Sequence, residues 1–370
     1  MSMMTSSPVK LGMIGCGFIS HAHGRAAQKS DGKISFTACA SRDETRVTEW
    51  AKEYGCGAAY TDYRQMLVEE DLDGVVITTW PGQHREHIET ALKAGIRFVL
   101  CEKALVSSGK DALALRQAAH EAGAVILEGF MYRYHPAMEK VHEIVRSGVL
   151  GKIDTIRGVV HMAIAPADAE DKDTRKSWRT SAEEGGGVLY DFTCYPVDAL
   201  NSLAGAPPRC VQAMGSRMRG DGPLDRLFGH VEYENGVIGL IESSHHAVFS
   251  QALEIHGNKV RLSMPIAWSI PGEAVITLTR SPGFLQFDDE IIRIPQPGPH
   301  NGSLIDAPVF KLQLDHFAAV IGGEVTPRMT LQESCTNALV LDALLESYKS
   351  GRSYDLRHKN ACATSELSWG

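Results

Sequence analysis

From Val9 to Glu128 apolar strand-like runs alternate with helix-like segments across short loops, and this rhythm limits the possible folds more than any other feature. Val9–Ile14, Lys33–Ala40, Gly74–Thr79 and Arg97–Cys101 read as strands, and Ala124–Leu127 counts as a sixth. Between them, Phe18–Lys29, Glu44–Tyr54, Asp62–Glu69, His84–Ala94 and Gly109–Ala122 have helical character, with Gly95 as a C-cap. Regular β-α alternation with short connections predicts a parallel, doubly wound sheet.

After Glu128 the rhythm changes. Pro136–Arg146 and Val188–Leu203 read as helices, Lys152–Ile164 as a long strand, and Ala165–Glu184 as a charged, turn-rich loop. Pro207–Met264 is a series of strands with hairpin signals at Gly220-Asp221-Gly222 and Asn235-Gly236. Val275–Leu278 and Ile291–Ile294 continue that style, two helices follow at Phe310–Ile321 and Leu331–Lys349, and Ala361–Gly370 reads as a tail. The expected architecture is α/β: a Rossmann doubly wound parallel sheet over residues 1–128, then an α+β domain over 129–360. The second domain is built on a large, mostly antiparallel open sheet, one face of which needs covering by helices or by another subunit. A chain of 370 residues suits two such domains.

A net charge of −8 argues against a nucleic-acid partner, which would meet a basic face. No apolar run approaches the ~20 residues of a membrane helix. The opening MSMMTSSPVK has neither the basic nor the apolar region of a signal peptide. The 8 cysteines are scattered without a C-x-x-C pair, so a reducing, cytoplasmic setting is expected. The sequon at Asn301 has no secretory context. No metal is expected: His21/His23 and His84/His87 lack the H-E-x-x-H spacing, and His245-His246 alternate faces on a strand.

Gly15, Gly17 and Ser20 fit G-x-G-x-x-[AGS] between a strand and a helix, the context that gives the pattern meaning. The first glycine permits the tight turn, and the second lets a diphosphate approach backbone N–H groups at the helix start, beside Phe18 and Ile19. At the end of the second strand an acid suits the ribose hydroxyls of NAD and an arginine the 2′-phosphate of NADP. Ser41-Arg42 favours NADP, while Asp43 keeps NAD open. Thr79, Trp80 and His84 follow another strand and are expected to line the same crevice. In Arg97–Leu105, RFVLCEKAL, an apolar strand ends abruptly in Glu102-Lys103, at the edge where open α/β sheets bind ligands.

These pieces resemble the glucose–fructose oxidoreductase / inositol dehydrogenase / rhizopine-catabolism family (Gfo/Idh/MocA). The matching stretches are the glycine loop, the turn ending in His84, Cys101-Glu102-Lys103, Glu128 to Pro136, and Gly185 to Asp198 with Asp191 and Tyr195. Phe317, Gly322-Gly323 and the Ser350-Gly351-Arg352 ending match too, so the resemblance covers nearly the whole chain. Glu128 to Pro136 and Tyr195 look most like the branch of sugar oxidoreductases, dihydrodiol dehydrogenases and aldose dehydrogenases. Two positions depart: Ala104 stands where the family commonly has proline, and Trp80-Pro81 where it often has Pro-Asn. The family proline often follows a cis bond that aims the lysine, so the bond before Ala104 is either trans here or cis without proline.

The resemblance implies hydride transfer between NADP or NAD and a secondary alcohol, ketone or hemiacetal carbon of a sugar or polyol. A carbinol that loses hydride must also lose its hydroxyl proton to a base. An unperturbed tyrosine, with a pKa of about 10, is a poor base near neutrality, and a neighbouring ammonium lowers it. The reading assigns Tyr195 as acid/base, Lys103 as charge stabiliser and hydroxyl ligand, and Asp191 as their orienter or a hydroxyl acceptor; Lys103 and Tyr195 are exchangeable in these roles. If Val188–Leu203 is one α-helix, Asp191 and Tyr195 share a face and Asp198 lies near it. Lys103 and Glu102 also belong to the cofactor side. Arg133, His135, His161, Trp178 and Arg179 are candidate substrate contacts. The broad sheet predicts a homodimer or homotetramer. The competing reading is a regulator of the same fold that senses dinucleotide or sugar without turnover, and a third is reduction of an activated double bond.

Overall fold

The computed structural model describes residues 7–164, 178–218, 222–270, 272–298 and 302–357. The chain divides into two compact units, 1–106 with 111–136 and 295–334, and 107–110 with 137–294 and 335–370.

In the first unit β1 (Val9–Ile14), β2 (Ile34–Ala40), β3 (Ala58–Tyr60), β4 (Gly74–Ile77), β5 (Phe98–Glu102) and β6 (Val125–Gly129) form one parallel sheet. The order is β3-β2-β1-β4-β5-β6. The strands are near-continuous apolar runs because parallel strands are covered on both faces. Reversal of the order between β1 and β4 opens a crevice outside their carboxyl ends, which is where the glycine loop lies. Helices α1 (Ser20–Gln28), α2 (Glu44–Tyr54), α3 (Tyr63–Glu69), α4 (Pro81–Lys93) and α5 (Gly109–Ala122) connect the strands. Asp43 and Asp62 cap α2 and α3 by accepting from the backbone N–H groups of Arg46 and Arg64. α4 starts three residues before the expected His84, because Pro81 occupies its first turn, where a missing N–H is harmless.

Helix α8 (Pro308–Ile321) belongs to this first unit. Phe310 stands edge-on to His23 of α1 at 5.4 Å, and Asp306 accepts from Arg25 at 2.6 Å. A Cβ on Gly74 would lie 3.3 Å from Phe317 and 3.2 Å from Ile321. The chain therefore returns to the first sheet after building the second. The continuous boundaries expected from the sequence, 1–128 and 129–360, put this helix in the second domain.

The second unit holds a nine-stranded sheet. Its strands are β7 (Ile153–His161), β8 (Pro208–Arg217), β9 (Leu224–Tyr233), β10 (Ile238–Ser244), β11 (Leu253–Gly257), β12 (Arg261–Met264), β13 (Ala274–Gly283), β14 (Gln286–Ile294) and β15 (Tyr354–Asp355). They run β14-β13-β12-β11-β7-β10-β9-β8-β15, antiparallel except for β7 beside β10. Asn235-Gly236 makes the β9–β10 turn, with Gly236 at φ +88. The expected turn at 220–222 lies partly outside the described residues. So do most of the loop at 165–184 and Asn301 of the sequon, and the tail at 361–370 lies outside them altogether.

Helix α7 (Cys194–Leu203) lies on one face of this sheet, and α6 (Pro136–Arg146) and α9 (Leu331–Ser350) are the remaining α-helices among the described residues. Two glycines let α7 approach. A Cβ on Gly158 of β7 would lie 2.5 Å from Pro196, and one on Gly239 of β10 would lie 2.3 Å from Leu200. The opposite face carries exposed Met214, Phe228 and Leu240, with Arg157 bonded to Glu242 at 2.7 Å and Glu254 at 2.8 Å. Among the described residues no helix is long and apolar enough to cross a membrane.

Since α7 sits on Gly158, Gly158→Val forces helix and sheet apart, with an expected loss of about 1–3 kcal/mol. The urea midpoint reads it directly, and an unchanged midpoint would mean that the glycine is not what seats the helix.

Candidate active site

The glycine loop is built for close approach of a ligand. Gly15 has φ +96, and a Cβ there would meet the Thr79 side chain at 2.8 Å. Its carbonyl accepts from Thr78 Oγ1 at 2.6 Å, which ties the loop after β1 to the segment after β4. A Cβ on Gly17 would meet nothing within 4 Å, so open space faces the backbone at the start of α1. Ser20 Oγ donates to the Gly17 carbonyl at 2.5 Å, and Ile19 is the N-cap of α1. Phe18, 67% exposed, and Trp80, 36% exposed, present large apolar surfaces to solvent. This combination fits a dinucleotide diphosphate. Ser41 is tied by its N–H to the Tyr60 carbonyl, Arg42 is exposed, and the carboxylate of Asp43 is spent on capping α2.

The turn after β5 rests on buried ionisable groups. The Lys103–Ala104 peptide bond is cis without a proline, which settles the alternatives left by Ala104. Lys103 is half-buried. Its N–H lies 3.3 Å from Glu102 Oε2, while Glu102 Oε1 is 2.9 Å from Nε2 of the buried His23. Ala104 O is 2.9 Å from His84 Nδ1, and Leu105 N donates to Glu128 Oε1 at 2.8 Å. His84 Nε2 lies 3.0 Å from the Thr79 carbonyl. His84 is 0% exposed and Glu102 is buried, so both serve the backbone around Lys103. From the sequence His23 is weighed only as a metal ligand and Glu128 only as the start of a matching stretch, and neither is expected to support the lysine turn; a charged residue at the end of β6, as Glu102 ends β5, was the available signal.

In the second unit the expected helix at 188–203 is not uniform. Leu189–Thr193 is wound as a π turn, and α7 begins at Cys194. Such turns recur at functional sites because they re-aim side chains. Asp191, in the π turn, is 2% exposed and accepts from Arg179 Nε at 2.6 Å. His245, buried and weighed from the sequence only as a metal ligand, has Nε2 at 3.7 Å from the same carboxylate and stands edge-on to Phe192. The Arg179 guanidinium lies 4.9 Å over the Trp178 ring. Gly186 and Gly187 donate to the carbonyls of Ser181 and Arg179, both at 2.8 Å. A Cβ on Gly186 would lie 2.3 Å from Trp178 O, so the glycines admit the chain's own backbone. Tyr195, half-buried in the first turn of α7, lies 6.3 Å from the Trp268 ring. Asp198, by contrast, is fully buried and accepts from Asn337 at 2.7 Å, which is a packing role.

Other candidates fall elsewhere. Arg133 is buried and bonded to Glu333 at 2.9 Å, and against burial Arg133 and the Thr330 hydrogen bonds together hold the Glu333 carboxyl below its usual range. His135 is buried beside it in sequence, and His161 ends β7 near Glu242 and Arg157. No group of three metal-binding side chains occurs among the described residues.

Comparison with known proteins matches both units. Residues 9–130 match an oxidoreductase family with an NAD-binding Rossmann fold, and residues 138–263 match the GFO/IDH/MocA C-terminal domain. D-xylose 1-dehydrogenase (NADP(+)) 2 of Haloferax volcanii is 29% identical, covering 86% of this chain and 91% of its own. Trans-1,2-dihydrobenzene-1,2-diol dehydrogenase of Bos taurus is 27% identical over 65% of this chain and 68% of its own. A 3-ketoreductase of Actinomadura kijaniata, crystallised with NADP and TDP-benzene, shares the fold with a TM-score of 0.79, 24% identity, and 92% and 98% coverage.

Burial pushes His87 and His135 down to about 4. Both rings stay neutral in the fold while the unfolded chain protonates them below about 6.5. Their contribution to stability is complete above that value and is lost as pH falls towards about 4. Thermal unfolding followed from about pH 7 to about pH 4 should show a falling midpoint, and His87→Gln should flatten the fall.

Proposed function

As the chain belongs to the Gfo/Idh/MocA oxidoreductases, with a nicotinamide dinucleotide as cofactor, we propose that it oxidises or reduces a CH–OH carbon of a sugar, polyol or related carbohydrate. The observation that carries this reading is the glycine loop, whose open backbone at Gly17 suits a diphosphate, in a chain aligned along most of its length with a xylose dehydrogenase. The bound nicotinamide supplies hydride acceptance or donation. The first unit is assigned to the dinucleotide and the second to the carbohydrate.

The chain's own residues handle the proton. Tyr195 is assigned as acid/base, Lys103 as the ammonium that stabilises the oxyanion, and Asp191 as an orienting carboxylate. Support for Lys103 is its turn, fixed by Glu102, His84 and Glu128. Support for Asp191 is its burial against Arg179, whose charge-assisted hydrogen bond aims the carboxylate. Arg179 and Trp178 are the favoured carbohydrate contacts, because a stacked guanidinium and indole offer a hydrogen-bonding edge and an apolar face. Arg133, bonded to Glu333, is better suited to anchoring its segment.

NADP is favoured over NAD, since Asp43 caps α2 and leaves exposed Arg42 to meet a 2′-phosphate. We also infer a homodimer or homotetramer through the outer face of the nine-stranded sheet, where Met214, Phe228 and Leu240 are exposed. The free thiols of the described cysteines fit the cytoplasm.

Stopped-flow hydride transfer over a panel of aldoses, inositols and ketosugars tests the catalytic assignment. Lys103→Met and Tyr195→Phe should each lower the rate by about 10²–10⁴; near-wild-type rates in both variants would remove it. For Arg42→Ala the expected loss is about 1.5–3 kcal/mol of NADP binding, a ten- to hundredfold fall in affinity. NAD binding should not change, and an unaltered NADP/NAD ratio would reject the arginine's role.

A further inference from the structure

We propose that His245 is the reserve hydrogen-bond donor of Asp191: when Arg179 turns away from the carboxylate, the imidazole closes on it and keeps it aimed. Both side chains converge on one oxygen. Arg179 Nε donates to Asp191 Oδ2 at 2.6 Å, and His245 Nε2 stands 3.7 Å from the same atom, too long for a hydrogen bond. A carboxylate oxygen carries two lone pairs, so Oδ2 can accept from either direction. Neither ring nitrogen of His245 has a hydrogen-bond partner, and both are buried. A buried donor in that condition needs a reason, because it bears the full cost of its desolvation with no bond in return.

The reason lies in an asymmetry of the Arg179–Asp191 pair. The side chain of Asp191 is 2% exposed and that of Arg179 is 35% exposed. A guanidinium at the surface, on a flexible stem, exchanges its partner for water or a ligand, whereas the carboxylate inside cannot turn to water. The root of His245 is meanwhile fixed: its N–H donates to Asp225 O and its carbonyl accepts from Ile164 N, both at 2.9 Å. Its ring stands edge-on, 4.6 Å from Phe192, which belongs to the same π turn as Asp191. The neighbouring His246 is engaged elsewhere, with Nε2 3.0 Å from Asp225 Oδ2. Closing the gap to the ~2.8 Å of a charge-assisted bond takes a shift of about 0.9 Å, which the side-chain torsions of His245 supply with its backbone in place. His245 is thus a positioning residue. Arg179 can turn to a carbohydrate hydroxyl while Asp191 keeps its direction, a consequence that rests on the roles proposed above for both.

A double-mutant cycle on the ligand-free full chain decides whether the reserve bond exists. His245→Phe keeps a ring against Phe192 and removes both nitrogens, so alone it should leave the urea midpoint unchanged: the free protein makes no bond there to lose. Arg179→Ala calls the imidazole into use, so its own loss should be small. Together the two should raise the unfolding constant about tenfold beyond the product of the single effects. Additive effects overturn the proposal. Should the double variant not fold, nitrogen-15 histidine spectra of Arg179→Ala decide instead. One buried ring N–H should move downfield from its wild-type position as it bonds, and an unshifted set of ring signals overturns the proposal equally.

Kinetics decide whether the bond serves turnover. With the carbohydrate of the panel that the wild type turns over fastest, His245→Phe should lower kcat about tenfold and change KM less than about threefold. His245→Gln, which retains an N–H donor, should recover most of that rate. Wild-type kcat in His245→Phe, or no recovery in His245→Gln, removes the positioning role. A wild type that turns over no carbohydrate would instead sink the function proposed above, and the stability cycle, read on the free protein, would still decide the reserve bond.

Discussion

A carboxylate at the end of a buried strand must be paired, and the architecture around Glu102 is the result. Removing a charge from water costs several kcal/mol unless hydrogen bonds replace the lost hydration. Glu102 recovers them from His23 and from the backbone of Lys103. The same demand recurs one strand over, where Glu128 takes the N–H of Leu105. With His84 on Ala104, the backbone groups of the three residues after β5 are held by side chains from three different elements. A lysine on such a turn has little freedom at its root, and only its flexible stem remains to be aimed.

The second unit reaches rigidity by close backbone packing. Gly158 and Gly239 remove the side chains that would hold α7 away, and Gly186 and Gly187 let the segment at Trp178 fold back on the start of that helix. The folded-back segment delivers Arg179 to Asp191, and the π turn gives Asp191 its direction. Loss of any of these glycines would act on the carboxylate through backbone displacement, without touching a charged group.

Much of this was legible in the sequence because it is local. Apolar runs and caps located α2, α5 and α6 to the residue, and the strand–glycine–helix context located the dinucleotide loop. The three-residue β3 escaped because an edge strand that short carries no periodicity. The π turn escaped because a one-residue change in winding leaves the apolar pattern intact. His23 and Glu102 are 79 positions apart, and nothing near either residue announces the other.

The return of α8 to the first sheet has a consequence for biogenesis. The ribosome finishes β6 long before it makes Phe310, the ring that stands against His23. Until then the helix behind the glycine loop lacks its cover, and the newborn dinucleotide lobe waits, incomplete, for a stretch encoded almost two hundred codons downstream. Folding in strict N-to-C order is closed to such a chain: its first lobe is begun first and sealed after most of the second has been synthesised.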